Sequence, residues 1–183
     1  MKKLTNIFCL LLVVLLTFSL SGCKIKDKED DKAQDVINKY LNTYYTIDKN
    51  EIDNYGKIIA GFKPTEKGLI ELDTIMKSFE EKFKPLTTDS AYNELIATRM
   101  SYGRIKGAYD EKYYVTVKDI KLTKDSEDKE KGVRVYYYEI ELTQTSISGS
   151  ETKTVKDKKQ ISVSKINDNW KVQHFSGNDG YSY

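Results

Sequence analysis

Histidine and cysteine, the side chains that most often supply a general base, a nucleophile or a zinc ligand, are scarce in this chain. Among 183 residues there is one histidine, His174, and there are two cysteines, Cys9 and Cys23. A histidine acts as a general base only when a partner carboxylate and a pocket surround it. A zinc site built on a pair of histidines is excluded, because there is only one. The positions of the two thiols therefore decide what chemistry remains.

Both cysteines lie in a segment with the composition of a secretory signal peptide. Lys2 and Lys3 give a positive start, an apolar run follows from Ile7 to Leu20, and small residues precede Cys23. A permanent transmembrane helix is the alternative, but that requires about 20 consecutive apolar residues, and this run is shorter. We therefore expect residues 1–22 to be a signal peptide that is cleaved between Gly22 and Cys23.

The residues Leu20-Ser21-Gly22-Cys23 resemble the lipobox of bacterial lipoproteins, Leu-(Ala/Ser)-(Gly/Ala)-Cys. The resemblance implies an exported lipoprotein whose Cys23 thiol carries a diacylglycerol, at the extracytoplasmic face of the cell membrane. Two acyl chains anchor a protein stably, whereas one chain binds only marginally. With Cys9 removed and Cys23 lipidated, no thiol remains for a disulfide, a metal site or a nucleophile.

Charge and composition limit the functions and the domain organisation that are possible for the rest of the chain. The 30 basic and 28 acidic residues become equal once Lys2 and Lys3 are removed, and a neutral chain argues against nucleic-acid binding. The charged residues 23–31 have no apolar period and predict a flexible tether, and residues 177–183 predict a flexible tail. Residues 32–176 are enough for a single domain with its own core.

Apolar residues at three- and four-residue spacing predict helices in the first half of the domain. Ser101–Lys112 contains two glycines and is predicted to be a loop. The predicted helices run from about Lys32 to Tyr45, from the cap Asp48 to Ile59, from Glu66 to Phe83 and from Ser90 to Met100.

From Tyr113 onward the apolar period changes to two, which predicts strands. The parity flips between Val117 and Ile120, which predicts a β-bulge near Lys118, and Asn167–Asn169 predicts a tight turn. Lys124–Gly132 is predicted to be a charged hairpin loop. The predicted strands are Tyr113–Thr123, Val133–Thr143, Thr154–Ile166 and Trp170–Phe175, with Trp170, Val172 and His174 on one face and Tyr113 and Tyr137 exposed on the outer face.

Helices followed by an antiparallel meander predict an α+β fold, with the helices packed on one curved sheet of four to five strands in a cone-like arrangement. This order resembles the nuclear transport factor 2-like fold. The resemblance rests on the helix ending near Tyr44-Tyr45, the helix Thr88 to Met100, the bulge near Lys118 and the hairpin Ile161 to Phe175. Proteins of that fold include isomerases, dehydratases, ligand carriers and docking modules, so the fold does not determine the function.

A set of aromatic residues and the histidine could line a pocket inside the predicted cone. Ordinary core filling is the alternative and the favoured interpretation, because tyrosine has a high β-propensity. The resemblance implies that enzymes of this fold use an Asp/His or Asp/Tyr pair inside the cone, and the predicted inward positions contain no Asp or Glu. The candidate pocket residues are Tyr40, Tyr44, Tyr136, Tyr138, Trp170 and His174.

No catalytic residue, metal ligand or cofactor site is therefore expected, because the acidic runs 27–31 and 125–128 lack calcium-loop spacing. The leading hypothesis is a non-enzymatic domain that binds or docks onto an envelope protein, a peptide or a small ligand. The alternatives are a small enzyme that uses His174 inside the cone and a structural part of an envelope assembly. An open interior with His174 beside a buried carboxylate would favour the enzyme, whereas an interior filled by Tyr and Leu would favour docking.

Overall fold

The structure, a computed structural model, describes residues 28–61, 65–98, 100–149 and 151–176. The chain divides into two compact units, residues 1–31 and residues 32–183. Of the first unit only Lys28–Asp31 are described, as the first turn of a helix. The predicted signal peptide, Gly22, Cys23 and the tail 177–183 lie outside the described residues.

The described residues form five helices followed by a four-stranded curved antiparallel sheet in the order β1-β2-β3-β4, which confirms the predicted α+β class. None of the helices in these ranges combines the length and the apolar character needed to cross a membrane. The elements are α1 (Lys28–Tyr45), α2 (Lys49–Ala60), α3 (Glu66–Phe83), α4 (Asp89–Ala97), α5 (Met100–Glu111), β1 (Tyr113–Asp128), β2 (Val133–Ser146), β3 (Thr152–Ile166) and β4 (Asn169–Phe175).

Helix α1 begins at Lys28, so the prediction of a flexible tether up to Asp31 is wrong for residues 28–31. Glu29, Asp30 and Asp31 occupy its first turn. Negative side chains there interact favourably with the positive end of the helix dipole. The charges that suggested a solvated tether therefore also favour the start of a helix.

Helix α5 replaces the loop that was predicted for Ser101–Lys112, and α4 ends at Ala97 before the predicted Met100. Two glycines lower the helix propensity by about 1 kcal/mol each. Packing compensates, because Arg104, Ile105 and Ala108 are buried at helical spacing. Lys112 follows the helix with φ at +57°, the left-handed conformation common at helix ends.

The β1–β2 hairpin is longer than predicted. The predicted bulge is confirmed by a register shift between Val117 and Asp119. A second shift lies between Lys124 and Ser126, and β1 continues to Asp128. The loop predicted for Lys124–Gly132 is therefore wrong over its first half. Tyr113 was expected to be exposed but is buried on the inner face, whereas Tyr137 is exposed as predicted.

The β3–β4 hairpin contains the predicted tight turn, in which Asn167 and Asp168 both have positive φ. Farther along, a register shift follows, because Ser162 pairs with His174 whereas Val163 pairs with Val172. This bulge moves Phe175 to the buried face and His174 to the outside. The prediction that His174 shares the face of Trp170 and Val172 is wrong for this reason.

Two chain segments cover parts of the sheet edges. Ile47 forms both hydrogen bonds of an antiparallel bridge with Val115 of β1. On β4, the Val172 amide donates to the Leu86 carbonyl and the Thr88 amide donates to the Val172 carbonyl. The helices and the inner face of the sheet enclose a single core, in which Ile140, Leu142, Ile161 and Val163 come from β2 and β3.

Candidate functional site

A cluster of aromatic rings fills the space where a pocket was considered. The Phe175 ring lies 4.6 Å from that of Tyr44 and 5.1 Å from that of Tyr40, measured between centroids. On the sheet side, Tyr138 stacks on Phe175 at 6.0 Å. Tyr40, Tyr44 and Tyr138 are each 2% exposed or less. Helix α1 and the strands therefore meet through packed rings.

Two hydroxyl groups at the sheet side of this cluster form a hydrogen bond with each other, and one of them also reaches a carboxylate. The Tyr45 and Tyr138 hydroxyl oxygens are 2.9 Å apart. The Tyr45 hydroxyl also donates to Asp157 Oδ2 at 3.4 Å, and Lys159 lies 3.4 Å from the same carboxylate. Buried hydroxyls require such partners, because an unsatisfied polar group inside a protein is costly.

Arg104 brings a positive charge into the same cluster. Its guanidinium carbon lies 3.6 Å from the Tyr44 ring centroid and 5.3 Å from that of Tyr45. The side chain is buried, and its Nε atom has no hydrogen-bond partner within the described part of the chain. The sequence interpretation missed this residue because it treated α5 as a loop. A helical reading of residues 100–111 would have placed Arg104 beside Ile105 and Ala108.

Burial perturbs the tyrosines of the cluster. Removal of the hydroxyl from water raises the pKa of Tyr40 far above its ordinary value, and the neighbouring Tyr44 hydroxyl adds to the effect. Burial also raises the pKa of Tyr44, although Arg104 acts in the opposite direction. Both groups are therefore neutral at physiological pH, and neither is poised to act as a base.

The other predicted pocket residues are distributed over separate places. Tyr136 is fully buried, and Trp170 stacks under Arg134, whose guanidinium carbon lies 4.8 Å from the ring. Arg134 in turn pairs with Glu127 at 2.8 Å. His174 is exposed on the opposite face of the sheet. The structure thus brings Tyr40, Tyr44 and Tyr138 together, and it separates His174 from them.

A small cavity lies among α2, α3 and α5, away from the aromatic cluster. Its volume is about 40 Å³, and Tyr55, Phe79, Tyr102 and Ile105 are among its lining residues. Pockets for small molecules usually measure about 300–1,000 Å³. The cavity can hold a water molecule or two, since one water occupies about 30 Å³ in the liquid.

The outer face of the sheet is polar and is organised by charge. Glu141 on the central strand β2 is bridged by Lys118 from β1 and by Lys156 from β3. Glu139 pairs with Lys158 of β3 at 2.7 Å. Lys118 is the main cause of the lowered pKa of Glu141, and Lys158 is that of Glu139. This face is therefore a solvated surface with paired charges along β3.

A second surface feature is apolar. Ile59 at the end of α2 and Leu69 and Ile70 at the start of α3 are each more than half exposed. The three- and four-residue spacing of Leu69, Leu72 and Met76 predicts a buried stripe along this helix, but Leu69 is exposed. Within the described residues of α3, only Gly68 and Phe83 are buried. The helix packs mainly through its C-terminal end.

Among the described residues, no group of three or more His, Cys, Asp or Glu side chains is arranged to hold a metal ion. No protein-family model matches the chain, and no curated protein matches it either.

Proposed function

We propose that this chain is an exported lipoprotein, anchored through Cys23 at the extracytoplasmic face of the cell membrane, whose α+β domain is a non-enzymatic docking module. The anchor is proposed from the sequence Leu20-Ser21-Gly22-Cys23 and from the positive, apolar and small residues that precede the cysteine. Lipidation at this thiol would hold the domain close to the membrane, because helix α1 begins at Lys28.

One observation supports docking above the other candidates. The interior that would have to hold a ligand is filled by packed rings, since Tyr40, Tyr44, Tyr136 and Tyr138 are each 2% exposed or less. Because the described interior is filled at this place, recognition would use the outer surface of the domain. The surface carries both an apolar group of side chains and an ordered array of charges, which are features that protein partners can use.

The enzyme alternative has little support. General acid–base catalysis by His174 requires an enclosed site with a carboxylate in reach. His174 is exposed on the outer face, where it pairs across the ladder with Ser162. We therefore do not propose a catalytic role for it.

The anchor is tested by comparing Cys23→Ala with Cys9→Ala, which changes the other cysteine of the leader. We expect the Cys9→Ala chain to incorporate labelled fatty acid and to fractionate with membranes. The Cys23→Ala chain should lose the label and leave the membrane fraction. A Cys23→Ala chain that remains membrane-bound, or an unaltered chain that takes up no label, would contradict the anchor.

The docking role is tested by crosslinking the full chain in intact cells and identifying the products by mass spectrometry. We expect a small set of envelope proteins, crosslinked through residues of the domain surface. A co-purified small molecule without any protein partner would overturn the docking role and would reopen the ligand-carrier alternative.

A further inference from the structure

The three most exposed large apolar side chains among the described residues lie at two adjacent helix ends. Ile59 is 52% exposed, Leu69 62% and Ile70 58%, whereas no other large apolar side chain in the described ranges exceeds 43%. The end of α2 and the start of α3 lie side by side, because Lys57 Nζ is 2.9 Å from Glu71 Oε1 and both helix ends line one surface depression. We call Ile59, Leu69 and Ile70 the apolar tip.

The rotation of α3 directs the apolar tip away from the domain. Ile75 and Phe79 line the small cavity that α3 shares with α2 and α5, so this side of the helix faces inward. At 3.6 residues per turn, Leu69 and Ile70 stand about 120–140° around the helix from Ile75. Scattered single apolar residues are normal on a protein surface, but a contiguous patch marks an interaction site.

The size of the apolar tip limits what it can bind. Burying the exposed halves of three aliphatic side chains favours a contact by about a hundredfold. A dissociation constant of 1 mM already represents about a thousandfold. Stable protein interfaces also bury about 800 Å² on each partner, far more than three half-exposed side chains supply. The apolar tip alone is therefore too small to capture a protein from solution, but it can orient a domain that is already held beside a surface.

The proposed lipid anchor provides such a surface. Cys23 precedes Lys28, where α1 begins, by five residues. Five residues span at most about 17 Å, so an acylated Cys23 keeps the start of α1 close to the bilayer. A contact made by a tethered molecule has a high effective concentration. With a hundredfold preference, only about 1% of the anchored molecules would keep the apolar tip in water.

The charges beside the apolar tip favour lipid over a charged protein partner. The described charged residues within three positions of the tip are two lysines and three acids, and one lysine of the two is paired with an acid. This mixture offers no complementary field to a strongly acidic or basic surface, whereas the apolar layer of a bilayer requires none. The charged residues are Lys57, Lys67, Glu66, Glu71 and Asp73.

We propose that the apolar tip inserts at the boundary between the headgroups and the acyl chains of the membrane that carries the anchor, and that it thereby fixes the orientation of the domain. This inference rests on the proposed anchor at Cys23. It leaves the charged outer face of the sheet for the docking role.

The test uses the full chain, purified after acylation and reconstituted in phosphatidylcholine vesicles. Leu69→Cys carries a nitrobenzoxadiazole label, and Ile147→Cys, in the turn between β2 and β3, carries the same label as a control. Lipids with a spin label in the acyl chain should quench the label at residue 69, and iodide in the water should quench the label at residue 147. High salt should not change this pattern, because apolar side chains make the contact. Equal quenching of both labels by iodide would overturn the inference.

Two matched double variants, each labelled at Ile59→Cys, remove exposed apolar side chains at different places. Leu69→Asp/Ile70→Asp changes the apolar tip, and Ile147→Asp/Ile166→Asp changes side chains elsewhere on the surface. The first variant should lose the quenching by spin-labelled lipids, whereas the second should retain it. Retention in both variants would contradict insertion of the apolar tip.

Other occupants of the apolar tip give different results. A label at residue 69 that is shielded in native membranes but not in vesicles of pure lipid would show that a protein covers the tip. Shielding that increases with the concentration of the chain in detergent, without vesicles, would assign the tip to a second copy. Either result would overturn the inference.

Uptake of labelled fatty acid by the same chains separates this inference from the anchor. If the chain is acylated and its label at residue 69 stays in water, the anchor stands and this inference fails. If the chain carries no fatty acid but vesicle lipids still quench the label, the contact stands and the anchor fails. Neither acylation nor lipid quenching would overturn both.

Discussion

The guanidinium carbon of Arg104 lies 3.6 Å from the centroid of the Tyr44 ring. This contact joins α5 to α1 inside the core, where both side chains are buried. A cation over an aromatic ring contributes about 2 kcal/mol when it is desolvated. Taking a charge out of water has a cost of similar or larger size. The two effects can be separated by substitution.

Replacing Arg104 with lysine should lower the free energy of unfolding by about 1–2 kcal/mol, because lysine keeps the charge but loses the contact of the guanidinium group with the ring. Arg104→Met keeps the volume and removes the charge, so its stability should remain within about 1 kcal/mol of the unaltered chain. Urea denaturation followed by circular dichroism measures both. A methionine variant that is less stable than the lysine variant would show that the charge itself stabilises the core.

Alkaline titration tests the burial of Tyr40 and Tyr44. Because their pKa values are raised by burial, both remain protonated in the folded chain at pH values where unfolded tyrosines, with a pKa near 10, ionise. Their contribution to stability is complete below the unfolded pKa and is lost as the pH rises through the folded values. Tyrosinate absorbance should therefore appear in two steps, the later one together with unfolding. A single step in the folded chain that matches the urea-unfolded chain would contradict this burial.

The lowered pKa of Glu127 makes the free energy of unfolding depend on pH in the acidic range. Lys124, followed by Arg134, lowers the pKa of Glu127 below its ordinary value of 4.5. The stabilisation is present above that ordinary value and is lost as the pH falls through the lower folded pKa. Glu127→Gln should reduce the free energy of unfolding at neutral pH by about 1–3 kcal/mol, since the buried Arg134 loses a charged acceptor. At low pH the difference should disappear, and Glu130→Gln in the exposed turn serves as the control.

The bulge in the last hairpin predicts opposite results for two neighbouring residues. Phe175→Ala should lower the free energy of unfolding by about 3–5 kcal/mol, because it removes the ring that contacts Tyr40 and Tyr44. His174→Ala should change it by no more than about 0.5 kcal/mol, as expected for an exposed residue. Thermal unfolding of the two variants measures the contrast. Comparable losses in both variants would place His174 in the core and would again make it a candidate catalytic residue.

The positive φ of Lys112 predicts that a glycine at this position would stabilise the chain. It has a φ of +57° between α5 and β1, and its carbonyl accepts a hydrogen bond from Ile147. Glycine adopts this conformation without steric cost, although it gains more freedom in the unfolded state. Lys112→Gly should therefore raise the free energy of unfolding by about 0.5 kcal/mol. Lys112→Ala retains the strain and should give no gain, so an equal gain in both variants would contradict the argument.

The fold class and several boundaries could be predicted because they depend on local patterns. The three- and four-residue spacing of Ile37, Tyr40, Leu41 and Tyr44 predicts one buried face of α1, and all four side chains are buried. A change of parity between Val117 and Ile120 is visible in the sequence, because one extra residue moves every later side chain to the other face. The Asn167-Asp168 pair tolerates positive φ at both turn positions.

The errors arose where a tertiary partner decides the structure. The bulge at His174 depends on the pairing of β4 with β3, and nothing in the seven residues of β4 alone indicates it. The glycines of α5 suggested a loop because burial of Arg104 and its neighbours is not visible in propensities. The continuation of β1 past Lys124 depends on the contact of Glu127 with Arg134 across the hairpin. The lipid anchor on Cys23 and the docking role remain predictions.

The bridge between Val172 and the segment around Leu86 and Thr88 has a consequence for the order of folding. It joins β4 to a segment that lies before five intervening elements, α4, α5, β1, β2 and β3. Pairings between residues far apart in the sequence form late, because closing a long stretch of chain costs entropy before the contact contributes any stabilisation. A polypeptide that is synthesised N-terminus first cannot complete this core until the last residues of the domain have been made. A chain that ended before Val172 would therefore leave the core incomplete and open to proteases.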